Sequence, residues 1–135
     1  MTALPAVRAA LETQLATISP PIDTAYENTP YVPVTGTPYQ QVTLLPATPA
    51  NIEIGPAYTE QGLFQVNLFY PKDTGAGAAQ ARAELIRAKF PFAASLINGG
   101  VTVNVINTTE IGPARPEDDR FMVPVRVRWS ARIGG

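Results

Sequence analysis

The chain has 135 residues, with ten Lys plus Arg against eleven Asp plus Glu and 45% hydrophobic residues, which predicts one domain over residues 1–135 whose core needs neither disulfide nor metal. It contains no Cys and no His, which removes thiolate nucleophiles, cysteine zinc sites, zincin sites and Ser-His-Asp triads. A net charge of −1 argues against a general nucleic-acid binder, and apolar stretches far short of the roughly 20 residues of a spanning helix, without a secretory leader at the start, predict a soluble intracellular protein with no membrane contact.

Leu4, Val7, Leu11, Leu15 and Ile18 recur at helical spacing, so a first helix is expected over 4–18, ended by Ser19, Pro20 and Pro21. Arg8 and Glu12 lie four apart and read as a solvated pair worth a few tenths of a kcal/mol. Eight of the fourteen prolines fall between Pro20 and Pro56, but Tyr26, Tyr31, Tyr39, Val42, Leu44 and Leu45 are interleaved with them. Such anchors predict an ordered, extended path rather than a disordered linker, with short strands over 24–27 and 40–45. Residues 47–60 read as a long excursion with one weak strand around Ile52 and Ile54.

Phe64, Val66, Leu68 and Tyr70 alternate with polar residues and predict a strand over 62–70 that Pro71 closes. The Ala-rich run 74–90 predicts a second helix, with Ala78, Ala81, Leu85 and Ala88 turned inward and Leu85, Ile86 and Phe90 giving bulk at the far end, Gln80, Glu84 and Arg87 on another side, and Asp73 or Thr74 as cap. After the Asn98-Gly99-Gly100 turn, Val101, Val103 and Val105 mark a strand. The last strand alternates from Phe121 to Ile133, with Pro124 requiring an edge, a strand start or a bulge. The order α-β-β-β-α-β-β implies an α+β fold: a mainly antiparallel sheet, or a mixed one, of about five strands with two helices on one face.

Little chemistry is on offer. Lys72 to Gly77 lacks the Lys-Ser/Thr of a phosphate loop and the third glycine of a dinucleotide loop, so a turn before a helix outweighs an anion site there. Glu117, Asp118 and Asp119, flanked by Arg115 and Arg120, lack calcium-loop spacing and suit a solvated hairpin tip or a partner contact better than a metal. None of the three serines sits in a nucleophile elbow. No cofactor is expected, and the chain reads as a protein that works by contacts rather than as an enzyme.

Charge is unevenly placed: the last 21 residues hold five arginines against three acids, the first 114 five bases against eight acids. Arg126, Arg128 and Arg132 stand in a row on the polar face of the last strand, where they could pair with acids of a neighbouring copy, face DNA, or be solvated. Candidate assembly contacts are Ile52, Ile54 and Glu60 in the excursion, Glu117, Asp118, Asp119 and Arg120 at the tip, and Arg126, Arg128 and Arg132 along the strand.

The run from Ala25 to Tyr31, then Pro38-Tyr39 and Val42 to Pro46, the segment Gly62 to Pro71, Gly75-Ala76-Gly77 with Ala81 to Glu84, and the close from Asp119 through the alternating strand to Ile133 resemble, in order and spacing, the phage tail terminator-like proteins of long-tailed bacteriophages and prophages. The resemblance covers nearly the whole chain. It implies the fold and size of the lambda-type tail terminator and a minor tail protein of which six copies form a ring on the tail tube, halting its polymerisation and presenting the surface for head attachment. It also implies as partners the chain itself, the tail tube protein and a head-completion protein, with DNA only passing through the lumen, and a path from host bacterial cytoplasm to virion tail. Another head-tail connector or minor tail role is the near alternative, and a small anion-binding or regulatory domain the alternative of a different class.

Overall fold

The computed structural model describes residues 3–51 and 54–134. The elements are α1 (Ala3–Ala16), β1 (Asp23–Ala25), β2 (Tyr39–Pro46), β3 (Tyr58–Pro71), α2 (Gly77–Lys89), β4 (Ser95–Asn98), β5 (Val101–Val105), β6 (Glu110–Ile111), β7 (Arg115–Glu117) and β8 (Arg120–Ile133). The strands form an eight-stranded sheet with the path β1-β2-β3-β8-β5-β4, and β6 and β7 also pair with β8. The β1–β2 pair is parallel and the others antiparallel. The expected α+β class and the two helices on one face hold, while the sheet is mixed and has eight strands rather than about five.

β3 and β8 are the spine, paired along all of their length from Tyr58↔Ile133 to Pro71↔Arg120. The other edge of β8 is shared by β5, β6 and β7 in turn. Pro124 sits where this second edge is interrupted: its carbonyl accepts from the Gly112 N–H at 2.8 Å. Because the N–H and C=O of one residue point the same way in an antiparallel ladder, the missing donor faces the gap between β6 and β7 and leaves the β3 pairing intact.

One side of this sheet carries the core. Val42 and Leu44 of β2, Phe64, Val66 and Leu68 of β3, Val103 and Val105 of β5, and Val123, Val125, Val127, Trp129 and Ala131 of β8 are buried together with Val7, Leu11 and Leu15 of α1 and Ala79, Ala83 and Ile86 of α2. Fully burying a side chain of this kind contributes roughly 1.5–3 kcal/mol, so this face dominates stability.

The first helix ends at Ala16, with Ile18 buried just beyond it, but it follows its expected stripe, with Val7, Leu11 and Leu15 buried. The second does not. Its inward residues are Ala79, Arg82, Ala83 and Ile86, followed by Phe90, and Ala78, Ala81, Leu85 and Ala88 face water. Alanine on every side leaves no periodicity to read, and the face is decided by Ile86, Phe90 and the aliphatic stem of Arg82, whose Nη1 donates to the Pro20 carbonyl. Neither Asp73 nor Thr74 caps this helix. Ala76 is at the N-cap without a side-chain hydrogen bond, and the Thr74 hydroxyl donates to Pro71 O at 2.7 Å.

At its other end the orphan carbonyls find partners from elsewhere in the fold. Gln14 Nε2 donates to Lys89 O at 2.9 Å and the buried Thr109 hydroxyl to Phe90 O at 3.1 Å. Among the described residues no helix is long and apolar enough to cross a membrane.

Candidate assembly surface

The reverse side of the sheet has no helix over it, and its side chains follow from the alternation of each strand. Cross-strand rows run Leu45–Leu63–Arg128, Thr43–Gln65–Arg126, Gln41–Asn67–Pro124 and Tyr39–Phe69–Met122. Most members of the first three rows are polar or charged, so this face tolerates water. The last row is apolar and is covered by the proline-rich loop between β1 and β2.

That cover is built by aromatic stacking and one arginine. Tyr31 lies 5.1 Å from Tyr39, and Tyr39 stacks on Phe69 at 4.8 Å with an interplanar angle of 11°. Arg120, only 6% exposed, donates from Nη1 to Thr37 O at 2.5 Å and from Nη2 to Val34 O at 2.7 Å. Its guanidinium is also 5.2 Å from the centre of the Tyr39 ring. Burial raises the Tyr39 hydroxyl above its ordinary value, and the nearby Arg120 charge opposes the shift. The interleaved tyrosines were the visible signal for this cover, whereas Phe69 and the role of Arg120 had none.

A second fastening holds the start of the loop. Glu27 Oε1 accepts from the Leu44 N–H at 2.8 Å and from Arg8 Nη1 at 2.8 Å, and Arg8 also reaches Glu12 at 3.3 Å. β1 pairs with β2 only at residues 39–41, so Glu27 satisfies a backbone donor on the edge that β1 leaves open. The Leu44 N–H, ahead of the Arg8 contact, holds the Glu27 carboxyl below its usual range. Arg8 and Glu12 are thus two members of a three-residue network, beyond the isolated solvated pair expected.

The candidate contacts divide between the two ends and the middle of the sheet. Ile52 lies outside the described residues, and Ile54 is fully exposed. Glu60 is in β3, on the side of Phe64 and 9% exposed. Thr59, beside it, forms a bridge with Ala50, so the end of the supposed excursion is the start of the spine strand. Glu117, Asp118 and Asp119 do form an exposed hairpin tip, between β7 and β8, with Asp118 at φ 54°. Arg115 reaches Glu117 at 3.5 Å, while Arg120 turns away from the tip to the loop.

Arg126, Arg128 and Arg132 share the open face. Arg128 pairs with Glu110 of β6 at 3.1 Å, an exposed contact, and Arg126 has no carboxylate partner among the described residues. The tip shares a cleft of about 340 Å³ with Pro33, Thr35, Tyr39 and Phe69. The arginine row lies farther along the sheet, beside a groove of about 240 Å³ lined by Leu45, Leu63 and Ile106. Among the described residues no group of three or more acidic side chains is placed to hold a metal ion.

The fold is thus an α+β one, a mixed sheet with two helices on one face and an open, largely polar face with apolar residues at its margins. The phage tail terminator protein family model matches residues 6–129, and the chain belongs to that family. One solved structure aligns with 100% of this chain and 99% of its own at 24% identity and a TM-score of 0.81. A chain from the virion of a native gene transfer agent particle aligns over 99% of this chain and 98% of its own at 19% identity and a TM-score of 0.64. No curated protein matches this chain. Family membership makes the protein a structural component of phage tails.

Proposed function

We propose that this chain closes a hexameric ring on the end of the tail tube, stops its polymerisation and presents the surface to which a head-completion protein attaches. The observation that carries this reading is the tail terminator family match over nearly the whole fold. A closed ring adds once, and its far side no longer resembles a tube subunit, so growth ends stoichiometrically and without turnover. The reactive inventory agrees, since the chain has neither Cys nor His.

The contacts are assigned to accessible side chains: Ile54, the Glu117–Asp119 tip and the row of Arg126, Arg128 and Arg132. Arg120 serves behind the tip by fixing the loop. The partners are other copies of the chain, the tube protein and the head-completion protein, with DNA crossing only the lumen. Assembly takes place in the host bacterial cytoplasm and leaves the protein in the virion tail. Electron microscopy of tails made without this protein tests the reading. Overlong tubes lacking heads are expected, and tails of normal length joined to heads would overturn it.

A further inference from the structure

The open face carries two unlike patches that fit one another. At one end the loop between β1 and β2 projects Val32, 81% exposed, and Val34, 54% exposed. The loop is fixed: the Val34 carbonyl accepts from both Arg120 Nη2 and the Thr37 N–H, the latter at 3.0 Å. A projection already held in one shape loses less freedom on docking than a mobile loop would. Next to it are Glu117, Asp118 and Asp119, which share a cleft with Pro33 and Thr35, and neither Asp118 nor Asp119 has a cationic partner among the described residues.

Farther along the same face lies the apolar groove of about 240 Å³. Leu45 and Leu63 are cross-strand neighbours, Leu63 faces Arg128, and the Ile106 N–H donates to Arg128 O at 3.0 Å. Leu45 and Ile106 are 43% and 39% exposed, an unusual place for such side chains in otherwise polar rows. Arg126, without a carboxylate partner among the described residues, stands one row away from the groove. One patch is therefore apolar with an acidic margin and the other apolar with a margin of two arginines against one acid, Glu110, which pairs with Arg128 and leaves Arg126 in excess.

We propose that copies of this chain join head to tail, the Val32/Val34 projection of one seating in the Leu45/Leu63/Ile106 groove of the next, with Asp118 and Asp119 facing Arg126 and Arg128. A single molecule cannot satisfy itself, because Arg120 and Arg128 are eight residues apart on one strand, about 26 Å at 3.3 Å per residue. A two-fold contact could pair both patches at once but would stop at two copies, whereas the ring read above needs a heterologous contact, in which each copy offers one patch to either neighbour and the set closes into a ring or propagates. Disulfide-linked dimers without higher multimers would therefore overturn the head-to-tail arrangement. The proposal rests on the ring reading above and specifies which surfaces meet.

The absence of native cysteine allows a direct test by oxidation, on concentrated protein and on assembled tails. The double variant Val32→Cys/Leu45→Cys is expected to give a ladder of disulfide-linked multimers on denaturing gels, and each single variant to stay monomeric. Single variants that cross-link as readily as the double, or a double variant that stays monomeric in both settings, would overturn the proposal. Both substituted positions are exposed, so folding is retained.

A charge swap gives an independent readout by sedimentation. Arg126→Glu and Asp119→Arg should each weaken self-association about tenfold, and the two together in one chain should recover most of it. No recovery in the combined variant would count against the pairing. Tail length, measured on the same variants, separates the two readings. Normal termination without the ladder would reject this contact and keep the capping role, whereas a ladder with unrestrained tails would do the reverse.

Discussion

On the helix side of the two spine strands, Phe64, Val66, Val125, Val127 and Trp129 are sealed from water, while the residues between them, Gln65, Asn67, Arg126 and Arg128, sit on a face that no helix covers. The same backbone thus supports a continuous apolar layer and a largely polar one whose apolar side chains include those of the Tyr39–Phe69 stack and the Leu45–Ile106 groove. The first face sets stability. The second is left free to meet other chains, and substitutions on the two should separate accordingly.

The largest effect is expected for Trp129→Ala, which empties a fully buried site at the centre of the covered face. The cost should be about 3–5 kcal/mol by denaturant unfolding. Arg120→Ala comes next, at about 2 kcal/mol, since it leaves two carbonyls of the loop without their charged donor. Hydrogen exchange should localise its damage to residues 29–38, with the helix face unaffected. If Arg120→Ala loosened the helix face equally, the two faces would not be independent.

Glu27→Ala should cost about 1 kcal/mol at neutral pH, a hydrogen bond from backbone and arginine discounted for the exposure of the carboxylate. Because the folded carboxyl is held below its ordinary value of 4.5, its stabilising contribution is complete above that value and is lost as pH falls through the lower folded value. Parent and variant should therefore converge in acid, which a pair of pH–stability curves would check. The smallest effect is expected on α2, where Ala81→Glu should change stability by less than about 0.5 kcal/mol, because Ala81 faces water. Ala83→Glu, two residues on and on the buried side of the helix, should be severely destabilising.

What could be read in advance follows the same division. β8 declared itself because burial on one face imposes a strict period of two. α1 did so because its large apolar residues are few and aligned. The covered side of α2 was legible only at its far end, in Ile86 and Phe90, because small residues surround the rest of the helix and Arg82 is turned inward. β4 is a half-exposed edge strand with Ile97 facing water, β6 and β7 are two and three residues long, and the start of β3 places Glu60 where an apolar residue would announce a strand. None of these bears the alternation that marks a buried surface.

For the site, the acidic tip and the arginine row were visible as charge, but charge alone did not separate Arg120, which closes a loop, from Arg126, which remains accessible. That distinction arises from contacts between residues more than eighty positions apart. The groove of Leu45, Leu63 and Ile106 was hidden for the same reason, being assembled from β2, β3 and the segment before β6.

The central claim, that this protein stops tube growth by occupying the growing end, is tested most directly by titrating the purified protein into polymerising tail tube protein and measuring tube lengths by electron microscopy. Growth should halt with about six copies retained per tube end, mean length falling as more is added. Tubes that lengthen unchanged at saturating protein, or protein bound along the tube wall instead of at its end, would contradict the account.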